Sequence, residues 1–292
     1  MRLVFVHGIN NQGSSTQQII ENWRGALAKV LSPPDLEILN RTEIVAPFYG
    51  DVLAEETARN VRAGAQAIAQ GAGDLPDDEK EFYREALEDI APAAGVTETN
   101  IRDAAGATGP IEQGLPHDRR LLAIVRALET ISPLKGSLVL RLLPQAFVYL
   151  SRESASQRID PIVKPVLSGK QCVVIGHSLG SVVTYKLIRE GVADSVPFYL
   201  TLGSPLAIKA VQNRVGPAFE RAACVKRWLN GLDPDDAVTI GRSLKETTFG
   251  PGVENIDDIE NGSDDPHSIE KYLQDKRVAD AIIRALRACE TD

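Results

Sequence analysis

One ten-residue stretch, 172–181, constrains the fold of this chain more than any other. It reads CVVIGHSLGS, in which a short apolar and β-branched run is followed at once by a turn of small residues. Residues 181–189 then place apolar side chains at helical spacing. A buried strand that turns directly into a helix is typical of a parallel α/β sheet. The stretch therefore predicts a strand, a tight turn with Ser178 at its apex, and a helix.

The turn has the pattern Gly-x-Ser-x-Gly. A serine on a tight strand-to-helix turn exposes its hydroxyl above the edge of the sheet, and Gly176 and Gly180 let strand and helix pass closely. Backbone N–H groups at the start of the helix point to the place where an oxyanion would develop. Ser178 is therefore the candidate nucleophile. The alternative is a structural β-α turn of a nucleotide-binding sheet, although such turns more often carry glycine at the apex.

Strands and helices alternate along most of the chain. The first strand, a helix over 16–31 and the second strand form a β-α-β unit with parallel pairing. We expect one α/β domain over 1–292, with a mostly parallel central sheet and helices on both faces. Residues 239–266 are predicted as loop, and 268–288 as the last helix. The strands are predicted at 3–6, 43–49, 172–175, 196–203 and 224–229.

Residues 50–150 differ in character from the rest. They are rich in alanine, glycine and charge, and they lack the alternation of strands. We interpret them as a helical insertion, which is either a cap over a substrate cleft or a solvated helical layer. An apolar run at 138–150 suits a cleft cover and packing against the sheet equally well. The helices are predicted at about 51–70, 77–91, 97–106 and 117–131.

A serine nucleophile needs a base that takes its proton. Of the four histidines, only His267 follows both the serine and an aspartate at the end of a strand, which is the order Ser, acid, His. His267 is therefore the candidate base, and the alternative is an exposed loop histidine beside two aspartates. His177 is expected to point away from Ser178, and His117 to be a surface residue.

Three aspartates follow the strand that is predicted to end at Leu229. Functional groups gather at the carboxyl ends of strands in α/β sheets, so any of the three could orient the base. Asp236 is favoured because the apolar pair after it can anchor the chain while its carboxylate turns inward. Asp233 is the alternative, since it could instead form a turn before a proline. Asp235 is expected to be solvated.

The oxyanion requires two N–H donors. Leu179 directly follows the nucleophile, and Ile9 lies in the loop after the first strand, where Gly8 permits a close approach. His7 or Asn10 is expected to brace that loop by hydrogen bonds. The chain shows no metal-ligand pattern, and this chemistry needs neither a metal nor a cofactor.

Composition limits the partners. The formal net charge of −8 and the absence of a basic cluster longer than a pair argue against a nucleic-acid surface. They give no support to binding of anionic membranes either. No run of about 20 apolar residues is present, and the apolar run at the first residues is too short for us to expect a signal peptide. Three widely spaced cysteines fit neither a disulfide framework nor a zinc site, so a cytoplasmic location is the expectation.

With these residues in view, the chain resembles the α/β-hydrolase family, and within it the lipases and esterases. The resemblance covers about 1–50 and 155–292 and leaves out the insertion. In lipase-like members the aspartate before a short apolar pair is the triad acid, which supports Asp236. The matching residues are 5–10, 176–180, 201–206, 228–230, 236–238 and His267.

The resemblance implies a serine hydrolase without cofactor that cleaves a small-molecule or lipid acyl ester through an acyl-enzyme. A thioesterase or amidase would use the same residues. A third alternative is a catalytically inactive hydrolase fold whose helical insertion binds a partner. Fold alone does not distinguish these functions.

Overall fold

The computed structural model describes residues 1–60, 76–106, 117–216 and 219–291. Six strands form one sheet with the order β2-β1-β3-β4-β5-β6, and every neighbouring pair is parallel. The fold is therefore α/β with a parallel sheet. The strands are β1 (Arg2–Val6), β2 (Glu43–Val45), β3 (Cys172–His177), β4 (Val196–Leu202), β5 (Val225–Gly231) and β6 (Val253–Ile256).

Helices connect the strands. They are α1 (Thr16–Ala28), α2 (Pro33–Arg41), α3 (Gly50–Asn60), α4 (Asp77–Ala93), α5 (Glu98–Ala104), α6 (His117–Ile131), α7 (Pro133–Ser151), α8 (Glu153–Leu167), α9 (Leu179–Arg189), α10 (Lys209–Val215), α11 (Ile269–Gln274) and α12 (Lys276–Thr291). Within the described ranges, no helix combines the length and the apolar character needed to cross a bilayer.

The core has two halves, one on each face of the sheet. Successive side chains of a strand point to opposite faces, so Leu3 and Phe5 of β1 pack with α1, α2, α11 and α12. Val4 and Val6 belong to the other half, which includes α9 and the helices between β2 and β3. Helices therefore cover both faces, as the alternation of strands and helices predicts.

Between β2 and β3, the described residues form helices joined by short turns and irregular segments. The predicted helices at 77–91, 97–106 and 117–131 correspond to α4, α5 and α6. Helix α3 ends at Asn60, and the rest of the helix predicted over 51–70 lies outside the described residues. The apolar run at 138–150 is part of α7, which contains Pro144 in its interior.

Several predicted boundaries are wrong for local reasons. The two prolines after Ser32 begin α2 rather than only ending α1, because proline lacks the N–H that the first turn leaves unpaired. Strand β2 stops at Val45 because Pro47 cannot donate to the ladder. Strand β6 lies inside the predicted loop 239–266. The last helix is divided at Asp275, whose carboxylate accepts the Arg277 N–H at 2.8 Å.

The sheet order reverses between β1 and β3. Loops leave these two strands in opposite directions, which opens a crevice at their carboxyl ends, where α/β proteins bind ligands. The loop with Gly8 follows β1, and Ser178 follows β3. The fold therefore places both predicted features at the same crevice.

Candidate functional site

Ser178 forms the sharp turn between β3 and α9. Its backbone has φ 52° and ψ −130°, a left-handed conformation that L-residues other than glycine rarely adopt. Its N–H donates to the Leu202 carbonyl of β4 at 3.0 Å, which ties the turn to the sheet. The side chain is fully buried. The serine therefore occupies a strained position that the surrounding sheet maintains.

Two glycines let the chain close around this turn. A Cβ atom on Gly180 would overlap the carbonyl oxygens of Val6 and His7, so only glycine allows α9 to contact β1 there. A Cβ atom on Gly8 would overlap that of Ser178 and lie 3.0 Å from its Oγ. The loop after β1 therefore lies directly against the serine hydroxyl.

His267 and Asp236 form a buried pair. The Nδ1 atom of His267 lies 2.7 Å from Oδ2 of Asp236. That oxygen also accepts a hydrogen bond from the Tyr272 hydroxyl at 2.9 Å, and Oδ1 accepts the Val238 N–H at 2.9 Å. With Nδ1 as the donor, a neutral imidazole has its free lone pair on Nε2. The aspartate therefore fixes both the orientation and the tautomer of the ring.

Two buried polar atoms at the site lack a partner. Within the described part of the chain, Oγ of Ser178 and Nε2 of His267 make no hydrogen bond, either with each other or with another group. Unpaired buried polar atoms are uncommon and often mark functional sites. Hydrogen bonds between a nucleophile and its base are often absent without substrate. The two atoms thus keep unused hydrogen-bonding capacity.

The other two aspartates of the loop serve different purposes. Asp233 accepts the N–H of Asp235 and the N–H of Asn261, both at 2.7 Å, so it shapes the loop. Asp235 is exposed and pairs with Lys135 of α7 at 3.5 Å. Neither carboxylate bonds to His267. Of the three candidates, the structure brings only Asp236 to the histidine.

His7 and Asn11 brace the loop that contains Ile9. The His7 Nε2 accepts the Tyr49 N–H at 3.2 Å, so its Nδ1 is the atom that donates to the Gly8 carbonyl at 2.8 Å. Burial lowers the pKa of His7 to about 4, which keeps the ring neutral. Asn11 donates to the Ile9 carbonyl at 2.8 Å. Of the two residues predicted to brace the loop, His7 does so, while Asn10 is exposed.

Leu179 is the first residue of α9, and its backbone lies at the positive end of the helix dipole. Ile9 follows Gly8, which touches the serine. The two predicted oxyanion donors therefore belong to segments that both adjoin Ser178.

The structure gives His177 a contact that its predicted direction, away from Ser178, did not include. Its Nε2 lies 3.0 Å from the carbonyl oxygen of His267. The two imidazole rings are 4.6 Å apart between centroids. Burial, and then the neighbouring His267, lower the pKa of His177 well below its ordinary value. The histidine inside the turn therefore contacts the candidate base.

Two clefts meet at His267. One, of about 420 Å³, reaches Asp236 and is walled by the start of α7, and the other, of about 350 Å³, reaches Gly8. Leu138, Arg141 and Asp265 line both clefts together with His267. Residues of α7 thus line both clefts, whereas Ser178 is fully buried and is not among the residues that line them.

Two residues that contact the pair have no predicted role. Tyr272 lies within the predicted last helix, and a buried tyrosine needs a partner for its hydroxyl. Gly203, at φ 55°, leaves room for the pair, since a Cβ atom there would lie 3.0 Å from Oδ2 of Asp236 and 3.1 Å from Nδ1 of His267. The sequence offered one signal for each residue. Tyr272 is close to His267 in the chain, and Gly203 directly follows β4.

Comparison of the chain with known protein families, with curated proteins and with solved structures gives no match. In the ranges that the structure describes, no group of three or more His, Cys, Asp or Glu side chains is arranged to hold a metal ion.

Proposed function

We propose that this protein is a serine hydrolase of the α/β-hydrolase family that cleaves a carboxylic ester through an acyl-enzyme. The observation behind the proposal is the buried His267–Asp236 pair, whose Nε2 atom, like Oγ of Ser178, has no hydrogen-bond partner among the described residues. Gly8, which adjoins Oγ of Ser178, lines the same cleft as His267. The order of attachment to the sheet also supports it. The serine follows β3, the aspartate follows β5 and the histidine follows β6.

In the proposed reaction, Oγ of Ser178 attacks the carbonyl carbon of the ester, and Nε2 of His267 takes the hydroxyl proton. Asp236 stabilises the imidazolium through its contact with Nδ1. The N–H groups of Ile9 and Leu179 bind the oxyanion of the tetrahedral intermediate. His267 then gives its proton to the leaving alcohol, and the acyl group stays on Ser178.

Water completes the cycle by the same steps in reverse roles. His267 removes a proton from water, the resulting hydroxide attacks the acyl carbon, and a second tetrahedral intermediate forms. It collapses with release of the carboxylic acid, and the proton returns to Oγ of Ser178. The buried position of the serine favours this chemistry, because interactions with developing charge are stronger away from water.

The proposal is tested by labelling with a fluorophosphonate probe, followed by mass spectrometry of the labelled peptide. We expect an adduct on Ser178 in the native protein and none in Ser178→Ala. We also expect Ser178→Ala to lower the turnover of a p-nitrophenyl acyl ester by about 10⁴-fold or more. Circular dichroism of both proteins controls for folding.

Failure to label Ser178 in the folded native protein would reject the hydrolase and favour an interaction module. If the protein is labelled, a panel of oxygen esters, thioesters and amides with the same acyl group separates the esterase from the alternatives. Fastest turnover of a thioester or an amide would contradict the assignment of the leaving group.

A further inference from the structure

His177 is the last residue of β3 and the covalent neighbour of Ser178. Its Nε2 atom lies 3.0 Å from the main-chain carbonyl oxygen of His267. A carbonyl oxygen can only accept, so Nε2 of His177 is the protonated nitrogen and donates. The last residue of the strand before the nucleophile is therefore hydrogen-bonded to the main chain of the candidate base.

The ring of His177 is held on several sides. Trp23 of α1 meets it edge-on, with 6.3 Å between centroids and planes at 86°. Tyr272 lies 6.2 Å away, and the ring of His267 lies 4.6 Å away. Because the side chain is also buried, its donor atom has little freedom to move.

His267 itself lies in a loop between β6 and α11, so no sheet ladder or helix fixes its main chain. Asp236 holds the imidazole ring at one end. Without a second contact the loop could shift and carry the ring with it. The His177 hydrogen bond holds the carbonyl of His267 itself, whereas Asn261 donates to the carbonyl of the preceding Pro266 at 2.7 Å. The His177 contact connects the base to Ser178 by a path of one side chain.

We propose that His177 is a positioning residue, which fixes the main chain of His267 at a set distance from Ser178 so that Nε2 of His267 faces the nucleophile. This inference rests on the proposed function. The lowered pKa of His177 supports this role, because a neutral His177 places no positive charge beside the imidazolium that His267 forms.

The test compares three variants of the full chain. His177→Gln keeps an amide N–H at about the reach of Nε2, whereas His177→Asn carries the same amide on a shorter side chain. His177→Phe keeps a ring but has no donor. We expect His177→Gln to keep kcat within about threefold, and the other two to lower kcat by about 10- to 100-fold with KM changed by less than about threefold.

A spectroscopic measurement gives a readout independent of turnover. The low-field proton resonance of Nδ1–H in His267, assigned by its loss in His267→Gln, should persist in His177→Gln and broaden or shift in His177→Asn. If His177→Phe does not fold, the matched Gln and Asn variants still decide. Equal kcat and an unchanged resonance in His177→Asn would overturn the proposal, and so would equal losses in the Gln and Asn variants.

The resonance also separates this inference from the proposed function. If the native protein fails to label with fluorophosphonate, yet the resonance persists in His177→Gln and is lost in His177→Asn, the hydrolase is rejected and the positioning contact stands. If the native protein labels and the Asn variant labels at the native rate with an unchanged resonance, the positioning role is rejected alone.

Discussion

The hydroxyl of Tyr272 lies 2.9 Å from Oδ2 of Asp236, the oxygen that also contacts His267. The same hydroxyl accepts the Asp233 N–H at 2.9 Å, so one tyrosine joins the two aspartates that the sequence could not separate fully. A carboxylate only accepts hydrogen bonds when ionised, and Asp236 receives three. Its surroundings therefore match the charged form that would stabilise an imidazolium.

Removal of this hydroxyl should weaken both stability and turnover. We expect Tyr272→Phe to lower the free energy of unfolding by about 2 kcal/mol, because a charge-assisted bond is lost and a buried N–H loses its acceptor. We expect kcat to fall about tenfold. Urea denaturation and ester turnover measure the two effects. Tyr185→Phe is the control, since among the described residues its hydroxyl bonds to the main chain of Glu220 and not to the His267–Asp236 pair. The interpretation fails if this control lowers kcat equally.

The choice between the aspartates is testable by paired amides. Asp236→Asn should lower kcat by about 10⁴-fold, because an amide can donate to Nδ1 of His267 only if the ring adopts the wrong tautomer. Asp233→Asn replaces one of two acceptors for backbone N–H groups, so it should cost about 1–2 kcal/mol of stability and change kcat by less than about tenfold. A larger loss of kcat in Asp233→Asn would show that Asp233 is the acid.

Alanine substitutions at two glycines with similar φ angles separate backbone strain from an effect on the site. Gly203 has φ 55° and lies against the His267–Asp236 pair, whereas Gly169 has φ 73° and no atom within 4 Å of its added Cβ. We expect each alanine substitution to cost about 1 kcal/mol for the left-handed conformation. Only Gly203→Ala should lower kcat, by about tenfold or more, because its methyl displaces the pair. Equal kcat in the two variants would contradict the close contact.

Buried His7 makes stability depend on pH. Its pKa is about 4 in the folded chain against an ordinary value of 6.5, so the unfolded chain binds the extra proton between these values. The free energy of unfolding should therefore decrease by roughly 3 kcal/mol as the pH falls from 6.5 to 4. His7→Asn removes this contribution while its amide can still donate to the Gly8 carbonyl.

The measurement is urea denaturation of both proteins between pH 7 and pH 4. The native protein should be the more stable at pH 7, and the difference should shrink towards pH 4. A difference that stays constant over this range would mean that His7 does not titrate as its burial requires. His177 is present in both proteins, so its own titration cancels.

The parts of the fold that were predictable are those with strong local patterns. Residues 3–6 of β1 and 172–175 of β3 are continuous apolar runs, and the turn after β3 has the Gly-x-Ser-x-Gly spacing. β6 was not predictable, because its four residues alternate weakly and gain their order from pairing with β5. Helix α2 was missed since its two prolines indicate both the end of one helix and the start of another.

The pairing of Asp236 with His267 followed from chain order and from the apolar residues after the aspartate, and its catalytic use remains a prediction. The contacts of Tyr272 and His177 were not accessible in the same way. Both depend on the path of the loop between β6 and α11, where no periodicity indicates which atoms meet. The clefts likewise depend on how α7 packs over the sheet, which a helical pattern does not specify.

The backbone of Ser178 has a consequence for how sequences of this kind would evolve. At φ 52° and ψ −130°, a glycine would raise the free energy of unfolding by about 1–2 kcal/mol relative to serine. It would also leave no buried hydroxyl without a partner. Selection for thermal stability alone would thus replace this serine early. A chain that keeps the serine therefore gives up this stability at the crevice between β1 and β3.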